Sequence, residues 1–353
     1  MSAGKIFKPG RGLDVGTGFL VESRMTEDGE LVTKSVRDSF LEIKPPNKLV
    51  QATMKKGLIK AGVNFFEIED KFFVLGDDSL MQSIERQVVV QRPMSKGVIS
   101  PSETQALPMF KALLKELLGE PQVKNEKVVF TVPAAPIDAA FDVIYHETVI
   151  HSILADLGFS GKAINEGQAV IFSELAEDDY TGVAVSMGSG MTNIAITNVA
   201  DLVAKFSVAK GGDYIDLSTA LSLGFDPNNP KQSPITPNLV TYVKEQGVDI
   251  LNPDRTDKIK LGISAHYQSL VRYVVENIVN HINSLKTVPR FMQPVPVVIA
   301  GGTSLAIGTI ELFKEELNRQ KGTLPFQIKE VRHSTKALTA VAEGCLLALL
   351  SED

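Results

Sequence analysis

The sequence predicts an α/β protein built as two related halves, with a β-sheet in each half. Three observations lead to this prediction. Short apolar runs that are typical of strands are interspersed with longer segments that carry apolar residues at helical spacing. A glycine-containing segment occurs twice, 172 residues apart, which is about half of the 353-residue chain. The composition, 44% hydrophobic and 22% charged, supplies enough apolar material for more than one core.

The elements of the first half follow from apolar patterning and from turn and capping residues. Strands are predicted at residues 12–21, where Gly16 and Gly18 separate two of them, and at 128–133 and 163–166. Hairpin turns are predicted at 27–30 and, within residues 63–75, at 69–70. Helices are predicted at 49–60, at 102–118 with Ser102 as N-cap, at 138–157 and at 168–176.

The second half is predicted by the same criteria. Two strands within residues 182–199 flank the glycines at 188 and 190, and further strands are predicted at 203–208 and 294–300. Helices are predicted at 214–223, 258–284, 309–319 and 335–350. Residues 226–237, rich in Asn and Pro, are predicted to form a loop.

The repeated segment is the most informative feature of the sequence. Residues 13–18 read Leu-Asp-Val-Gly-Thr-Gly, and residues 185–190 read Val-Ser-Met-Gly-Ser-Gly. Glycines at a hairpin tip allow positive φ and remove the Cβ, so that consecutive N–H groups can converge on an anion. One such hairpin is usually only a hairpin, but two in equivalent positions predict phosphates held between facing hairpins across an interdomain cleft. Neither a Gly-x-x-x-x-Gly-Lys-Ser/Thr loop nor a dinucleotide-binding fingerprint is present.

Several classes of function are disfavoured by composition and spacing. With 36 basic and 42 acidic residues the net charge is −6, so direct nucleic-acid binding is not expected. Cys345, the one cysteine, lies in an apolar run and is predicted to be a buried hydrophobe in a reducing cytoplasm. Neither a signal peptide nor a membrane-spanning stretch is predicted, so the protein is expected to be cytoplasmic. His146 and His151 lie about 140° apart on a helix, which argues against a zinc site.

Five segments, in order along the chain, form a recognisable pattern. They are Gly12-Leu-Asp-Val-Gly-Thr-Gly18; residues 128–133 with the helix after them and Ile164-Asn-Glu-Gly-Gln168; residues 183–193; Val297-Val-Ile-Ala-Gly-Gly-Thr303; and Ala340-Val-Ala-Glu-Gly344. They resemble the first phosphate, first connecting, second phosphate, adenosine and second connecting motifs of the actin-like ATPase superfamily. That superfamily includes actin, the seventy-kilodalton heat-shock chaperones and the sugar kinases. Within it, Arg92-Pro-Met-Ser-Lys-Gly-Val-Ile99 and Lys210-Gly-Gly-Asp-Tyr-Ile-Asp216 are most similar to the bacterial MreB-type actins.

The resemblance implies an actin-like fold, with two α/β halves that each have a mixed sheet and a smaller inserted subdomain, and with a nucleotide in the cleft between them. It implies a first core of residues 1–36, 92–164 and 335–353 and a second core of residues 165–222 and 292–334. The inserted subdomains are residues 37–91, here called the first insertion, and residues 223–291, here called the second insertion.

The resemblance also implies the roles of the site residues, with ATP or ADP and Mg²⁺ as ligands. Backbone N–H groups would hold the phosphates at Gly16, Thr17, Gly18, Gly188, Ser189 and Gly190. Asp14 would belong to the Mg²⁺ shell, through a bound water, unless it only caps its own loop. Glu166 would orient the attacking water, unless it is a solvated turn residue.

The adenosine is expected beside a third glycine segment. Gly301, Gly302 and Thr303 end a buried strand, where an adenine ring can lie against bare backbone. Lys258 and Lys260 open the helix that, by resemblance, borders the adenosine, although a solvated helix face is the equal alternative.

Two departures from the superfamily's pattern bear on activity. Ser186 stands where the second phosphate motif normally has an aspartate, and Asn193 stands where the chaperones have another. Gln168 also displaces the usual Ala-rich run after Glu166. Fewer carboxylates neutralise less Mg²⁺ charge, so weaker metal binding and slow hydrolysis are expected.

The sequence therefore predicts an ATP-binding cytoskeletal protein that assembles head to tail into filaments and hydrolyses ATP slowly, with protein adaptors left open as partners. The alternatives are a non-polymerising chaperone-like or reactivating ATPase, a nucleotide-binding pseudoenzyme scaffold, and a sugar or acetate kinase.

Overall fold

The computed structural model describes residues 9–99, 107–140, 143–286 and 290–351. The strands are β1 Gly10–Val15, β2 Phe19–Met25, β3 Leu31–Arg37, β4 Phe40–Ile43, β5 Phe65–Ile68, β6 Lys71–Leu75, β7 Met94–Ser95, β8 Val98–Ile99, β9 Glu126–Val132, β10 Phe159–Asn165, β11 Gly182–Met187, β12 Thr192–Asn198, β13 Asp201–Val208, β14 Val295–Ala300 and β15 Ile328–His333. The α-helices are α1 Lys48–Lys60, α2 Gly76–Arg86, α3 Leu107–Leu118, α4 Val143–Asp156, α5 Glu166–Glu174, α6 Gly212–Ser222, α7 Pro237–Glu245, α8 Lys258–Ser284, α9 Thr309–Arg319 and α10 Ala340–Leu350.

The two halves contain five-stranded sheets of the same topology. The first sheet has the order β10-β9-β1-β2-β3, and the second has the order β15-β14-β11-β12-β13. In each, the first three strands form an antiparallel meander, a fourth strand pairs in parallel with the first strand of that meander, and a fifth pairs in parallel with the fourth. This equivalence confirms the duplicated architecture and the mixed sheets that the sequence predicts.

The two insertions are built differently. In the first insertion, α1 packs on a three-stranded sheet of order β4-β6-β5, and Leu58 of that helix joins a small core with Phe72 and Val74. The second insertion contains α7 and α8, and the buried face of α8 packs into the main core of the second half. The division into four subdomains at the residues given above stays a prediction.

Helices α5 and α10 cross between the two sheets and connect the halves. A core cluster joins the two halves there, with Val129 from the first sheet, Val298 from the second and Cys345 from α10. A Cβ added to Gly344 would overlap the carbonyl oxygen of Ala169, so the crossing is too close for any larger residue. The position of Cys345 confirms that it is buried.

Most predicted elements are confirmed, and the exceptions have local causes. Helix α4 begins at Val143 instead of residue 138, and α10 begins at Ala340 instead of residue 335. Residue 166 begins α5 instead of ending a strand, because the Asn165 side chain accepts from the N–H groups of Gly167 and Gln168 and caps the helix. The predicted N-cap Ser102 lies outside the described residues.

Some elements have no clear signal in the sequence. The sequence predicts neither helices α2 and α7 nor strand β15. Helix α7 directly follows the predicted loop at residues 226–237. No helix in the described ranges has the length and apolar character needed to cross a membrane.

Candidate functional site

Two glycine hairpins form facing walls of a cleft between the halves. The first connects β1 to β2, and its Gly16 N–H donates to the Phe19 carbonyl oxygen at 3.1 Å. The second connects β11 to β12, and its Gly188 N–H donates to the Met191 carbonyl oxygen at 2.9 Å. The hairpins therefore make the same turn at equivalent positions of the repeat. Both follow the carboxyl end of a central strand, where α/β proteins commonly bind ligands.

The hairpins approach each other so closely that only glycine fits at their tips. A Cβ added to Gly18 would overlap Ser189 Oγ, and one added to Gly190 would lie 2.5 Å from Thr17 Oγ1. Thr17 Oγ1 in turn accepts a hydrogen bond from the Gly97 N–H at 2.9 Å. This apposition of bare backbone from the two halves is the arrangement in which N–H groups can converge on an anion.

A cavity of about 510 Å³ lies in the cleft. The chain segments that line it are far apart in the sequence, and they include eleven of the residues predicted for the site. These are Asp14, Gly16, Thr17, Gly18, Glu166, Gly188, Ser189, Gly190, Gly301, Gly302 and Thr303. The volume is in the range of small-molecule sites, and such sites occur preferentially between domains.

Two predicted residues lie elsewhere. Lys258 and Lys260 are not among the residues that line the cavity. Both are in the first turn of α8, where Asp257 caps the helix and lies 3.7 Å from Lys260 Nζ. The lysines that line the cavity are Lys34 and Lys244. Lys244, near the end of α7, donates to Asp216 at 2.7 Å and to the Gly212 carbonyl oxygen at 3.1 Å.

The Glu166 carboxylate is fixed at the base of the cavity by two neutral side chains. Its Oε1 accepts from Ser186 Oγ at 2.7 Å, and its Oε2 accepts from Asn193 Nδ2 at 2.7 Å. Asn193 is itself held, since its Oδ1 accepts from the Ala134 N–H at 3.0 Å. The two residues that replace the superfamily's aspartates therefore serve as hydrogen-bond donors that orient the glutamate.

Asp14 and Glu166 form an electrostatically strained pair. Burial raises the pKa of Asp14 to about 7, against a hydrogen bond from Thr131 Oγ1 that favours its ionised form. Burial and the charge of Asp14 raise the pKa of Glu166 to about 8, against the hydrogen bond from Ser186. In the described ranges no Lys, Arg or His side chain forms an ion pair with either carboxylate, which is the electrostatic situation that a bound divalent ion relieves.

The carboxylates of the cavity could hold Mg²⁺ only together with water and phosphate oxygens of a bound nucleotide. Among the described residues, no group of three or more His, Cys, Asp or Glu side chains is arranged to hold a metal. Mg²⁺ typically takes one or two protein carboxylates and completes its shell with water and substrate phosphates. Asp14 and the nearby Glu166 match that requirement, whereas a metal cage made by protein alone does not.

The third glycine segment forms another wall of the cavity. Gly301 has φ of +89°, and a Cβ there would overlap the backbone of Met187. Thr303 Oγ1 donates to the Gly188 carbonyl oxygen at 2.9 Å, and Tyr267 Oη donates to the Thr303 carbonyl oxygen at 2.9 Å. The segment predicted to hold adenosine is therefore bonded directly to the second phosphate hairpin.

Charged residues that the sequence did not reveal as site residues also line the cavity. They are Lys34, Arg37, Arg92, Asp213, Asp216, Lys244 and Glu245. Charged residues on helices and strands are usually solvated, and no local pattern distinguishes these from the others. Gly211-Gly212 before Asp213 is the one local signal, because two glycines that open a helix suggest a close backbone approach.

Several solved structures superpose on this chain over nearly its whole length. The chain superposes on the MamK double helical filament with a TM-score of 0.67 at 18% identity, covering 98% of this chain and 99% of that chain. MreB5 of Spiroplasma citri bound to ADP gives 0.65 at 13% identity, with 98% and 97% covered. EutJ from Carboxydothermus hydrogenoformans gives 0.54 at 14% identity, with 97% and 91% covered.

The duplicated sheets, the facing hairpins and these likenesses define an actin-like protein, of the fold shared by the actin-like ATPases. Within that class the chain belongs to the Volactin family, whose family profile matches residues 10–349. No curated protein sequence matches the chain. Because the structural neighbours are less than 25% identical, they establish the fold and leave activity to be argued from the cleft.

Proposed function

We propose that this protein is an actin-like cytoskeletal protein that binds ATP with Mg²⁺ in its interdomain cleft, assembles head to tail into filaments and hydrolyses ATP slowly. The observation that carries the proposal is the pair of equivalent glycine hairpins, one from each half, which meet at a single cavity beside Asp14 and Glu166. A ligand held by both hairpins would stabilise the closed cleft, because it contacts both halves at once. The solved neighbours include a MamK filament and an MreB5 bound to ADP, which supports both parts of the proposal.

The roles of the cleft residues follow from their chemistry. Backbone N–H groups of the hairpins that contain Gly16 and Gly188 would hold the phosphates. Asp14, with Glu166 nearby, would hold Mg²⁺, which neutralises phosphate charge when bound. Glu166, held by Ser186 and Asn193, would accept a hydrogen bond from the water that attacks the terminal phosphate.

Slow hydrolysis follows from how Glu166 is occupied. Each of its oxygens already accepts a hydrogen bond from a protein donor at 2.7 Å. A water that donates to Glu166 must therefore share its acceptor oxygen with Ser186 or Asn193. Ser186 and Asn193 also bring no charge to the metal site. The same two residues therefore fix the glutamate and limit how strongly it can polarise a water.

Sedimentation of the purified protein with ATP, with ADP and without nucleotide tests the proposal, together with negative-stain electron microscopy of the pellets. We expect filaments that depend on nucleotide and Mg²⁺, and a phosphate-release rate far below one per second. Glu166→Ala is expected to retain nucleotide binding and assembly while phosphate release falls by about 10²-fold. Nucleotide binding without any polymer would instead favour the chaperone-like or scaffold alternatives.

A further inference from the structure

Two exposed surfaces at opposite ends of the molecule have complementary charge and exposed apolar side chains. The first, here called the basic face, is formed by Leu49, Lys56, Ile59 and Lys60 on α1. The second, here called the acidic tip, is formed by Glu177, Asp179, Tyr180, Val199, Asp201 and Leu202, around the β12–β13 turn. We propose that the basic face of one molecule docks on the acidic tip of a second copy and forms a longitudinal contact. This inference rests on the proposed function, because it gives that assembly its contact surfaces.

The basic face is the outward side of an unusually cationic helix. Helix α1 contains four lysines and no acidic residue. Leu49 lies about 180° around the helix from the buried Leu58, and Lys56 and Lys60 fall within about 20° of Leu49. Leu49 is 78% exposed and Ile59 is 61% exposed. Among the described residues, Lys56 and Lys60 have no acidic partner within ion-pair distance.

The acidic tip is a single surface made by two loops. The Val199 N–H donates to Thr181 Oγ1 at 2.8 Å, and Thr197 Oγ1 donates to the Tyr180 carbonyl oxygen at 2.6 Å. Val199 is 67% exposed. Asp178 beneath the tip pairs with Lys329 at 2.5 Å, whereas Glu177, Asp179 and Asp201 have no basic partner within ion-pair distance in the described part of the chain.

The backbone of the acidic tip is held in an uncommon conformation. Eight non-glycine residues in the described ranges have positive φ, and four of them are Asp179, Tyr180, Val199 and Ala200. A β-branched residue such as Val199 is a genuine outlier in this region. The strained turn displays an apolar side chain to solvent, and strain of this kind persists chiefly at functional sites.

The topology places the two surfaces at opposite ends. Strand β12 starts at the glycine hairpin of the cleft and runs away from it for 7 residues, about 23 Å, before the turn at Val199. The first insertion instead leaves its sheet at Arg37, at the cleft end of β3. The first insertion therefore starts on the cleft side of the sheets, and the acidic tip lies at the far end of the second sheet. A contact between two different surfaces is heterologous, and when the two surfaces lie at opposite ends of the molecule it adds copies head to tail and builds a filament unless the rotation between copies closes a ring.

Charge selects a second copy as the occupant. The whole chain has a net charge of −6, so a surface with only basic groups is complementary to the protein's own acidic surface. Apolar side chains on both surfaces would add buried apolar area to the contact, which charged pairs alone would not provide. The contact should therefore weaken as salt concentration rises.

Cross-linking provides the decisive test, because the one native cysteine is buried. The double variant Leu49→Cys/Val199→Cys, treated with a short bismaleimide, is expected to give a ladder of dimers, trimers and higher oligomers. The variant Leu49→Cys/Ile144→Cys is the matched control, since Ile144 is 80% exposed but belongs to neither surface. The control is expected to stay largely monomeric.

Charge reversal tests whether the charges of the two surfaces are complementary, in protein that carries no introduced cysteine. Lys56→Glu/Lys60→Glu and Glu177→Lys/Asp179→Lys are each expected to raise the critical concentration for sedimentation about tenfold, and the four changes together are expected to restore most of the assembly. Thermal unfolding of each variant shows whether it is folded.

The outcomes separate this contact from the proposed function. Filaments of the native protein without a ladder, and without an effect of charge reversal, would overturn the contact and leave the proposed function standing. A ladder without nucleotide-dependent filaments would support the contact and overturn the proposed function. Binding to vesicles of anionic lipid that is lost in Lys56→Glu/Lys60→Glu, together with no ladder, would assign the basic face to a membrane instead.

Discussion

The Glu166 side chain is held by neutral groups where related proteins would place acids. Each of its oxygens accepts one hydrogen bond, from Ser186 and from Asn193, and its pKa is raised by burial and by the charge of Asp14. In this environment the two donors favour the ionised carboxylate, while burial and Asp14 favour the neutral acid. The identity of residue 186 therefore influences both where the carboxylate points and how readily it is charged.

Ser186→Ala removes one of these donors without adding charge. We expect the rate of ATP hydrolysis to fall about tenfold, because the loss of orientation and of support for the ionised carboxylate should outweigh the gain from a Glu166 oxygen left free for water. A hydrogen bond to a charged group contributes about 1.5–3 kcal/mol. Nucleotide affinity should stay within about twofold, which steady-state turnover and equilibrium binding would show together. Ser173→Ala is the matched control, since its Oγ donates to the Val170 carbonyl oxygen on the same helix as Glu166. Equal losses in both variants would contradict a specific role for Ser186.

The sequence predicted the backbone part of the site better than its charged part. Glycines 16, 18, 188 and 190 are visible in the sequence as a repeated pattern, and at Gly18 and Gly190 an added Cβ would overlap the opposite hairpin. Lys244 and Glu245 reach the cavity only because α7 packs beside the cleft, which depends on tertiary contacts. Lys258 and Lys260 were predicted from the resemblance alone, with a solvated helix face as the equal alternative, and they do not line the cavity.

A glycine within a helix is required for packing in α10 but has no packing role in α1. Gly344 of α10 faces the Ala169 carbonyl oxygen at the crossing with α5, whereas a Cβ at Gly57 of α1 would meet nothing within 4 Å. The close crossing of α5 and α10 thus depends on one glycine, while the other only weakens its helix. Such differences in packing are not visible in the local sequence, as the unpredicted α2 and α7 also illustrate.

Gly344→Ala and Gly57→Ala form a matched pair. We expect Gly344→Ala to lower the free energy of unfolding by at least about 2 kcal/mol, because the backbone of α5 must move. Gly57→Ala should raise it by about 0.5–1 kcal/mol through helix propensity alone. Urea denaturation followed by circular dichroism measures both, and similar effects of the two changes would refute the packing argument.

Helix α4 contains an acid-sensitive group. His146 is fully buried, its Nδ1 accepts from the Ile99 N–H at 3.2 Å, and burial lowers the pKa of His146 from 6.5 to about 4. The neutral form is favoured in the folded state. Its contribution to stability is therefore complete above about pH 6.5 and is lost as the pH falls towards 4.

The size of this effect follows from the shift, at about 3 kcal/mol. We expect the melting temperature to fall between pH 6.5 and 4, and His146→Gln to remove a large part of this pH dependence while lowering stability at pH 7. His151→Gln, on the same helix but exposed, is expected to leave the pH profile unchanged. An unchanged acid transition in His146→Gln would assign it to other groups.

The whole molecule is in a closed state, with side chains of the two halves bonded across the cleft. Arg37 forms a bidentate pair with Glu245 at 2.7 and 3.1 Å, and Arg92 pairs with Asp213 at 2.6 Å. Asn238 of α7 joins the insertions, donating to Ser83 Oγ at 2.7 Å and to the Val88 carbonyl oxygen at 3.0 Å. A nucleotide held below these contacts cannot leave until the insertions separate, so their strength should set the rate of exchange.

Asn238→Ala tests this directly, because the Asn238 side chain does not line the cavity. Losing two hydrogen bonds of about 1 kcal/mol each should favour the open cleft by up to about 30-fold and raise both the association and the dissociation rate of a fluorescent ATP analogue by at least about fivefold. A residue that merely contacts the nucleotide would change dissociation alone. Asn283→Ala is the matched control, since Asn283 donates to the Thr323 carbonyl oxygen within the second half. Faster dissociation with unchanged association in Asn238→Ala would show that the contact between the insertions does not gate the cleft.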